Sequence, residues 1–177
     1  MDSQLPSSIC SISDPDFWSE YIEHKKSSFP NNPRISEFEK VLEDRSFSEL
    51  MSHISDGSYT FSIPVKKSVS KTKVGKKRTV YTFEEQEMMA LRIISYSLYR
   101  FDEYFSNSLY SFRSSRTVRD AIIKIRFTSL QKRSYGLKID IHDYFNSIPV
   151  DRFLPMLKDF LQDDPLYGTL DCILSSR

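Results

Sequence analysis

The chain has 177 residues, of which 39% are hydrophobic and 14% aromatic, so it can bury a core as one domain or as a piece of a larger one. No apolar run approaches a membrane span, and the first residues lack the basic start and apolar centre of a signal peptide. Cys10 and Cys172 lie near opposite ends and form no zinc-binding spacing with the three histidines, which predicts reduced thiols in a cytoplasmic protein.

The net charge of +1 conceals a strong asymmetry along the chain. Residues 1–60 carry a net charge of −6, residues 61–139 carry +11, and residues 140–177 carry −4. A basic middle that ends at an acidic segment favours the binding of a polyanion. The alternative is a basic face that only water covers.

A helical region is predicted over residues 1–58, behind a serine-rich leader. The first helix begins at Asp14, whose carboxylate can cap a helix with Pro15 in its first turn. A second helix is predicted from Ile35 to Leu42 and a third from Ser46 to Ile54. No chemistry is assigned to these helices.

A β-hairpin is predicted next. Residues Tyr59–Val65 alternate like a strand, Arg78–Thr82 form the returning strand, and seven basic residues without an acid lie between Lys66 and Arg78. The pattern predicts a hairpin with a cationic tip and one cationic face, which binding of phosphates would stabilise. A lysine-rich loop without fixed structure is the alternative.

Two helices follow the hairpin. The first runs from Glu84 to Phe105, and the second from Val118 to Leu130 with Thr117 as its cap. The residues expected to face the core are Met88, Leu91, Ile94 or Ser95, Leu98, Phe101 and Phe105 in the first, and Ala121, Ile122, Ile125 and Leu130 in the second. Between them lies an irregular link that contains two arginines.

The segment from Tyr135 to Ile141 is predicted to be a buried strand. Its apolar residues alternate with Lys138 and Asp140, so the strand would present Asp140 at its end. Phe145 follows five residues later. A carboxylate that binds a divalent metal near an aromatic ring suits a nucleotide polymerase, whereas an aspartate that only caps the next turn is the alternative. Helices from Val150 to Leu161 and from Leu166 to Leu174 complete the chain.

The order of these features resembles the fingers and the first half of the palm of bacterial reverse transcriptases, a group that includes group II intron maturases, retron enzymes and antiviral phage-defence enzymes. The resemblance covers about residues 60–160 and depends on three stretches. They are the basic hairpin that ends Gly-Lys-Lys-Arg, the run Tyr110–Thr117, and the run Lys138–Ile148. The sequence does not separate intron mobility from retron or defence functions.

The resemblance implies an α+β fold with three regions. These are an N-terminal helical layer over residues 1–58, a fingers-like region with the basic hairpin over residues 59–134, and a partial palm sheet packed on helices over residues 135–177. The implied activity is that of an RNA-directed DNA polymerase. It would add dNTPs to a DNA or RNA primer on an RNA template, with two Mg²⁺ or Mn²⁺ ions.

The resemblance also implies roles for individual residues. Asp140 is the implied catalytic ligand of both metal ions, and the main-chain carbonyl of Ile141 binds the nucleotide-bound ion. The residues implied to contact the dNTP are Lys71, Arg78, Asp143 and Phe145, with Phe145 excluding a ribose 2′-hydroxyl. The residues implied to contact nucleic acid are Lys73, Lys76, Lys77, Arg113 and Arg116.

Two departures from the family limit this interpretation. The only pair of aspartates after Asp140 is Asp163-Asp164, which precedes Pro165 at a predicted helix end and cannot be the paired aspartates of the second palm signature. We therefore expect the chain to be a truncated form that does not polymerise alone. Ser114-Ser115 replaces the Pro-Gly common in intron-type enzymes, which favours the retron or defence branches.

Three further expectations complete the prediction. A non-catalytic RNA-binding module with a fingers-like fold is the alternative function. A viral RNA-templated RNA polymerase is disfavoured by Phe145, because such an enzyme must admit the 2′-hydroxyl. An unpaired strand edge at Tyr135–Ile141 predicts self-association.

Overall fold

The chain is an α+β protein in a computed structural model that describes residues 12–45, 48–70, 77–113, 115–131, 133, 135–142 and 144–175, without the side chains of 145 and 146. Its elements are α1 (Pro15–Ser28), α2 (Ile35–Asp44), α3 (Ser48–Ser55), β1 (Val65–Ser70), β2 (Lys77–Thr82), α4 (Glu85–Ser97), a 3-10 helix (Leu98–Tyr104), α5 (Val118–Gln131), α6 (Tyr144–Ser147), α7 (Val150–Leu161) and α8 (Asp164–Ser175). Within the described ranges, no helix has the length and apolar character needed to cross a membrane.

The chain forms two compact units. One comprises Met1–Ser97 together with Val150–Arg177, and the other comprises Leu98–Pro149. The first unit therefore contains the hairpin and most of the helices, and the second contains the 3-10 helix, α5 and the segment around Asp140.

The core of the first unit forms around α1. Asp14 caps this helix by accepting a hydrogen bond from the backbone N–H of Asp16 at 3.0 Å, as predicted. Trp18 and Tyr21 are buried, and their rings lie 6.2 and 5.0 Å from the ring of Phe38 on α2. Aromatic pairs at these distances stabilise a core beyond the area they bury. These ring contacts and the ion pair between Lys26 of α1 and Glu39 of α2 hold the two helices together.

The predicted core face of α4 is only partly correct. The buried residues of α4 are Glu87, Met89, Ala90, Ile93, Ile94 and Ser97, so the buried stripe of this helix is displaced by about one position. Of the predicted stripe, Ile94 is buried in α4 and Phe101 is buried in the 3-10 helix that follows. The α-helix also ends at Ser97 rather than at Phe105, and the backbone continues as the 3-10 helix. In a helix this rich in apolar residues several stripes satisfy the 3.6-residue period, so tertiary contacts decide which one is buried.

Helices α7 and α8 pack against each other, and α8 also packs against α3. Leu154 and Leu161 of α7 and Leu166 of α8 are buried. Asp163 accepts a hydrogen bond from the backbone N–H of Leu166 at 2.9 Å, so it caps the start of α8. The interpretation of Asp163-Asp164 as a helix terminus is therefore confirmed.

The predicted palm strand is absent from this structure. Residues 135–141 form neither strand nor helix, and the only sheet in the described part of the chain is β1–β2. Leu137 is 84% exposed and Ile139 is 79% exposed, so the expectation of burial is wrong here. A strand requires a hydrogen-bonded neighbour, and no described segment supplies one.

Helix α5 forms at its predicted position but buries none of its residues. Thr117 and Asp120 form a reciprocal capping box, in which the Asp120 N–H donates to Thr117 Oγ1 at 3.3 Å and the Thr117 N–H donates to Asp120 Oδ2 at 2.8 Å. The expectation that Ile122 and Ile125 face a core is wrong in this structure, because their side chains are 60% and 68% exposed. Local capping therefore defines where α5 starts, while its apolar side chains lie in solvent.

Candidate nucleic-acid interface

The predicted hairpin exists, but its first strand begins six residues later than predicted. Strand β1 covers Val65–Ser70 instead of Tyr59–Val65, and β2 covers Lys77–Thr82. The backbone N–H of Ser62 donates to the carboxylate of Glu87 at 2.6 Å, and Pro64 has no N–H. The stretch before Val65 is thus occupied by other bonds and cannot extend the ladder.

The antiparallel register separates the hairpin cations onto two faces. Cross-strand partners share a face and neighbours along a strand alternate, so Lys66, Lys77 and Tyr81 lie on one face, while Lys67 and Arg78 lie on the other. We call the first the tyrosine face and the second the valine face, because Val65, Val69 and Val80 belong to it. The expectation of a single cationic face is corrected, since both faces are basic.

Each described cation of the hairpin lies directly opposite an uncharged residue. Lys66 pairs with Tyr81, Lys67 with Val80, Arg78 with Val69, and Lys77 with Ser70. Like charges directly opposite each other would destabilise a ladder. The register avoids that repulsion, which explains how the hairpin forms despite its charge.

These four cations are exposed and available to an anionic ligand. All are exposed in the structure, and none forms an ion pair with another described residue. Tyr81, on the same face as Lys66, is 38% exposed. Exposed cations next to an exposed aromatic ring form the combination that contacts the phosphates and bases of single-stranded nucleic acid.

Glu87 anchors the base of the hairpin. Its carboxylate is buried and accepts hydrogen bonds from the Tyr59 hydroxyl at 3.0 Å, from the Ser62 backbone N–H, and from the Ser62 hydroxyl. Burial by itself raises the pKa of Glu87, but the hydrogen bonds from Ser62 and Tyr59 outweigh it and hold the pKa below its ordinary value. Glu87 is thus ionised, and its hydrogen bonds fix the position of the residues that precede β1.

The hydrogen bond between Tyr59 and Glu87 also affects the pKa of Tyr59. Burial, and then the hydrogen bond to Glu87, raise the pKa of the Tyr59 hydroxyl to about 12. The sequence predicts no role for either residue. Glu87 had the pattern of an ordinary acid in a first helical turn, and no local signal connects it to residues 25 or more positions earlier.

Three of the hairpin lysines predicted to contact ligands, Lys71, Lys73 and Lys76, lie outside the described residues. Lys77 and Arg78 are described, and both are exposed on β2. Because they are neighbours on a strand, their side chains emerge on opposite faces. One extended ligand lying on one face therefore contacts Lys77 or Arg78, but not both.

Arg113 is not exposed for nucleic acid in this structure. Its side chain is 3% exposed and forms an ion pair from Nε to Oδ1 of Asp102, and its Nη1 donates to the carbonyl of Ser106 at 3.0 Å. Asp102 also accepts a hydrogen bond from the Ser115 hydroxyl at 2.6 Å. Arg113 therefore stabilises the second unit in this structure, and its predicted contact with nucleic acid stays a prediction.

Arg116 also forms contacts within the second unit. Its guanidinium donates to the side-chain oxygen of Asn107 at 2.6 Å and to the Asn107 carbonyl, and it lies over the ring of Tyr110, 5.6 Å from the centroid. These contacts fix the link between the 3-10 helix and α5. The predicted contact of Arg116 with nucleic acid stays a prediction.

Asp140 and Ile141 lie in an exposed segment of the second unit, and Ile141 is 60% exposed. Asp143 and the side chain of Phe145 lie outside the described residues. No group of three or more His, Cys, Asp or Glu side chains that could bind a metal occurs among the described residues. One carboxylate supplies too few ligands for two ions.

No protein-family model matches the chain, and no curated protein shows significant similarity to its sequence.

Proposed function

We propose that this chain supplies the fingers and the start of the palm of an RNA-directed DNA polymerase. The observation that supports the proposal is the hairpin, on which four exposed cations face no acid among the described residues and emerge on two sides of one ribbon. A polymerase must hold two polyanions at once, the template–primer and the incoming dNTP. A ribbon that is basic on both sides suits that requirement.

The two faces fit these two ligands differently. The tyrosine face combines Lys66, Lys77 and the ring of Tyr81, which suits a nucleic-acid strand that offers phosphates and bases together. The valine face carries Lys67 and Arg78 as diagonal neighbours, which lie roughly 7–8 Å apart in such ladders. Two cations at this spacing suit the compact charge of a triphosphate. Arg78 is accordingly the proposed triphosphate contact and Lys77 a proposed nucleic-acid contact.

Asp140 is the proposed first carboxylate of the catalytic centre. When bound, two Mg²⁺ or Mn²⁺ ions would activate a primer 3′-hydroxyl and stabilise the leaving pyrophosphate. The further carboxylates that such a centre requires would come from outside the described residues.

A non-catalytic RNA-binding module is the second candidate function. The observation that favours it is the exposure of the segment around Asp140, which is not assembled with other acids in the described part of the chain. Such a module would use the tyrosine face and would have no need of a triphosphate contact at Arg78.

The first experiment measures binding of single-stranded RNA to the 177-residue chain by fluorescence anisotropy over a range of salt concentrations. Two variants with equal charge loss are compared, Lys66→Gln/Lys77→Gln on the tyrosine face and Lys67→Gln/Arg78→Gln on the valine face. The slope of log K against log salt is negative, and each lost phosphate contact makes it shallower by about 0.7. The tyrosine-face variant should therefore have a slope shallower by about 1.4, and the valine-face variant should change far less.

A matched control and a second ligand complete the test. Lys40→Gln/Arg152→Gln removes two exposed charges of the first unit outside the hairpin and should leave the slope unchanged. Binding of a fluorescent dNTP should depend on Lys67 and Arg78 in a polymerase and should be absent in a module that only binds RNA. If all three variants change the slope equally, RNA responds only to total charge and the assignment of faces is refuted.

The catalytic part of the proposal is tested by primer extension on an RNA template with dNTPs and Mg²⁺. A protein that carries this chain within a complete palm should extend the primer, and its Asp140→Ala variant should not. Extension that persists in the Asp140→Ala variant would refute the role of Asp140, whatever the binding data show.

A further inference from the structure

The segment Tyr135–Ile141 is exposed along its whole length and belongs to no strand or helix. Its apolar side chains, Leu137, Ile139 and Ile141, are 84%, 79% and 60% exposed, and they alternate with Lys138 and Asp140. Such alternation is the pattern of a strand with one apolar face and one charged face. The side chains thus alternate as they would in a strand, but no described segment of the chain pairs with this one.

We propose that this segment pairs with the same segment of a second copy of the chain, as two antiparallel strands related by a two-fold axis at Ile139. In this register Lys138 lies opposite Asp140 of the partner subunit, and the symmetry repeats the pair in the opposite direction. Leu137 lies opposite Ile141 of the partner subunit in the same way. The segment is therefore complementary to itself in both charge and apolarity.

Neighbouring registers lack this complementarity. An axis at Lys138 places two lysines opposite each other, and an axis at Asp140 places two aspartates opposite each other. An axis between two residues places Ile139 opposite a charged side chain, because a shift of one residue exchanges the faces. In-register parallel strands place like charges side by side at both positions. Only the axis at Ile139 forms two ion pairs and buries apolar side chains against each other.

The proposed pairing is independent of the proposed function, but it involves the same carboxylate. An Asp140 carboxylate that pairs with Lys138 of the partner subunit is occupied and is withdrawn from any other ligand. Two strands alone form a weak ribbon, so we expect a reversible dimer that dissociates on dilution.

The test uses sedimentation equilibrium of the 177-residue chain from about 10 µM to about 1 mM, a range that resolves weak association. Lys138→Asp places two pairs of acids across the interface, and Asp140→Lys places two pairs of lysines. In either variant both opposite-charge pairs become like-charge pairs, which should raise the dissociation constant of the dimer about thirtyfold. Lys124→Asp, a charge reversal at an exposed position of α5 in the same unit, should not change it.

Mixing provides the decisive comparison. Lys138→Asp and Asp140→Lys chains each repel themselves but are complementary to each other, so an equimolar mixture should recover the association of the unaltered chain. The exchanged variant Lys138→Asp/Asp140→Lys should also recover it, because its two ion pairs are only reversed. Recovery by the exchanged variant requires the register centred on Ile139, because an axis at position 138 or 140 would again place like charges opposite each other. Recovery by the mixture shows that the charged face of this segment is the face at which two chains pair.

Cross-linking fixes the axis directly. In a background without Cys10 and Cys172, Ile139→Cys should form an intermolecular disulfide, because directly opposite Cα atoms lie about 4.5–5.5 Å apart. Leu137→Cys should not, because its copies lie four positions apart along the ribbon. The proposal is overturned by a chain that stays monomeric at ~1 mM, by single charge variants that associate as tightly as the unaltered chain, or by a mixture that does not recover association.

Discussion

Replacing Arg113 by Met should destabilise the second unit without weakening the proposed binding of RNA. The Arg113 side chain is 3% exposed and that of Asp102 is 12% exposed, so the substitution removes the Arg113 charge from a nearly buried carboxylate. Breaking a buried ion pair on one side costs about 3–5 kcal/mol, and the two Ser115 donors that remain on Asp102 place this case near the lower end, at about 3 kcal/mol.

The assay is urea denaturation followed by far-UV circular dichroism, together with amide hydrogen exchange of α5 to localise the change to the second unit. The double variant Asp102→Asn/Arg113→Met should recover most of the loss, because no unpaired charge then stays buried. Arg119→Met removes an exposed arginine of α5 and serves as the control. If Arg113→Met leaves stability within about 0.5 kcal/mol but lowers the RNA salt slope by about 0.7, the reasoning is refuted and Arg113 is a nucleic-acid contact.

Three further predictions concern titration and capping. The pKa of Glu87 is below its ordinary value in the folded chain, so the ionised carboxylate stabilises the fold fully above the unfolded pKa. This stabilisation is lost as pH falls from about 5 through the depressed pKa. The denaturation midpoint of Glu87→Gln should therefore depend less on pH in that range than the midpoint of the unaltered chain. Tyr59 has a pKa of about 12, so its contribution is lost as pH rises from ~10 towards that value, and in spectrophotometric titration Tyr59→Phe should lack one late-titrating phenol. Thr117→Ala removes the cap of α5 and should cost about 1 kcal/mol, measured as faster amide exchange in the first turn, whereas Thr117→Ser should keep the cap.

Features determined by neighbouring residues could be predicted from the sequence. Asp14 and Thr117 start their helices where the pattern placed them, because a cap needs only a side-chain oxygen and the N–H groups two or three residues later. Strand β2 begins within one residue of its predicted start for a similar reason, since strand and turn propensities are local. The α+β class followed from these elements.

Features determined by distant residues could not be predicted. The start of β1 depends on Glu87, which lies 25 positions after Ser62 and captures the backbone N–H that a longer strand would need. The role of Arg113 depends on Asp102, and the pattern of residues around Arg113 gives no sign that the guanidinium is buried. Neither contact produces a periodic pattern in the sequence, because each joins single side chains that lie far apart along the chain.

The segment around Asp140 shows how the same pattern serves two different outcomes. Alternation places Asp140 and Lys138 on the face opposite to Leu137, Ile139 and Ile141, whichever strand becomes the neighbour. A palm sheet that buries the apolar face would leave Asp140 directed at a catalytic centre, whereas pairing with a second copy gives that carboxylate a lysine as its partner. Since one carboxylate cannot be in both places, a chain that dimerised through this strand would hold its candidate catalytic acid in an ion pair, and the proposed catalysis would require the dimer to dissociate first.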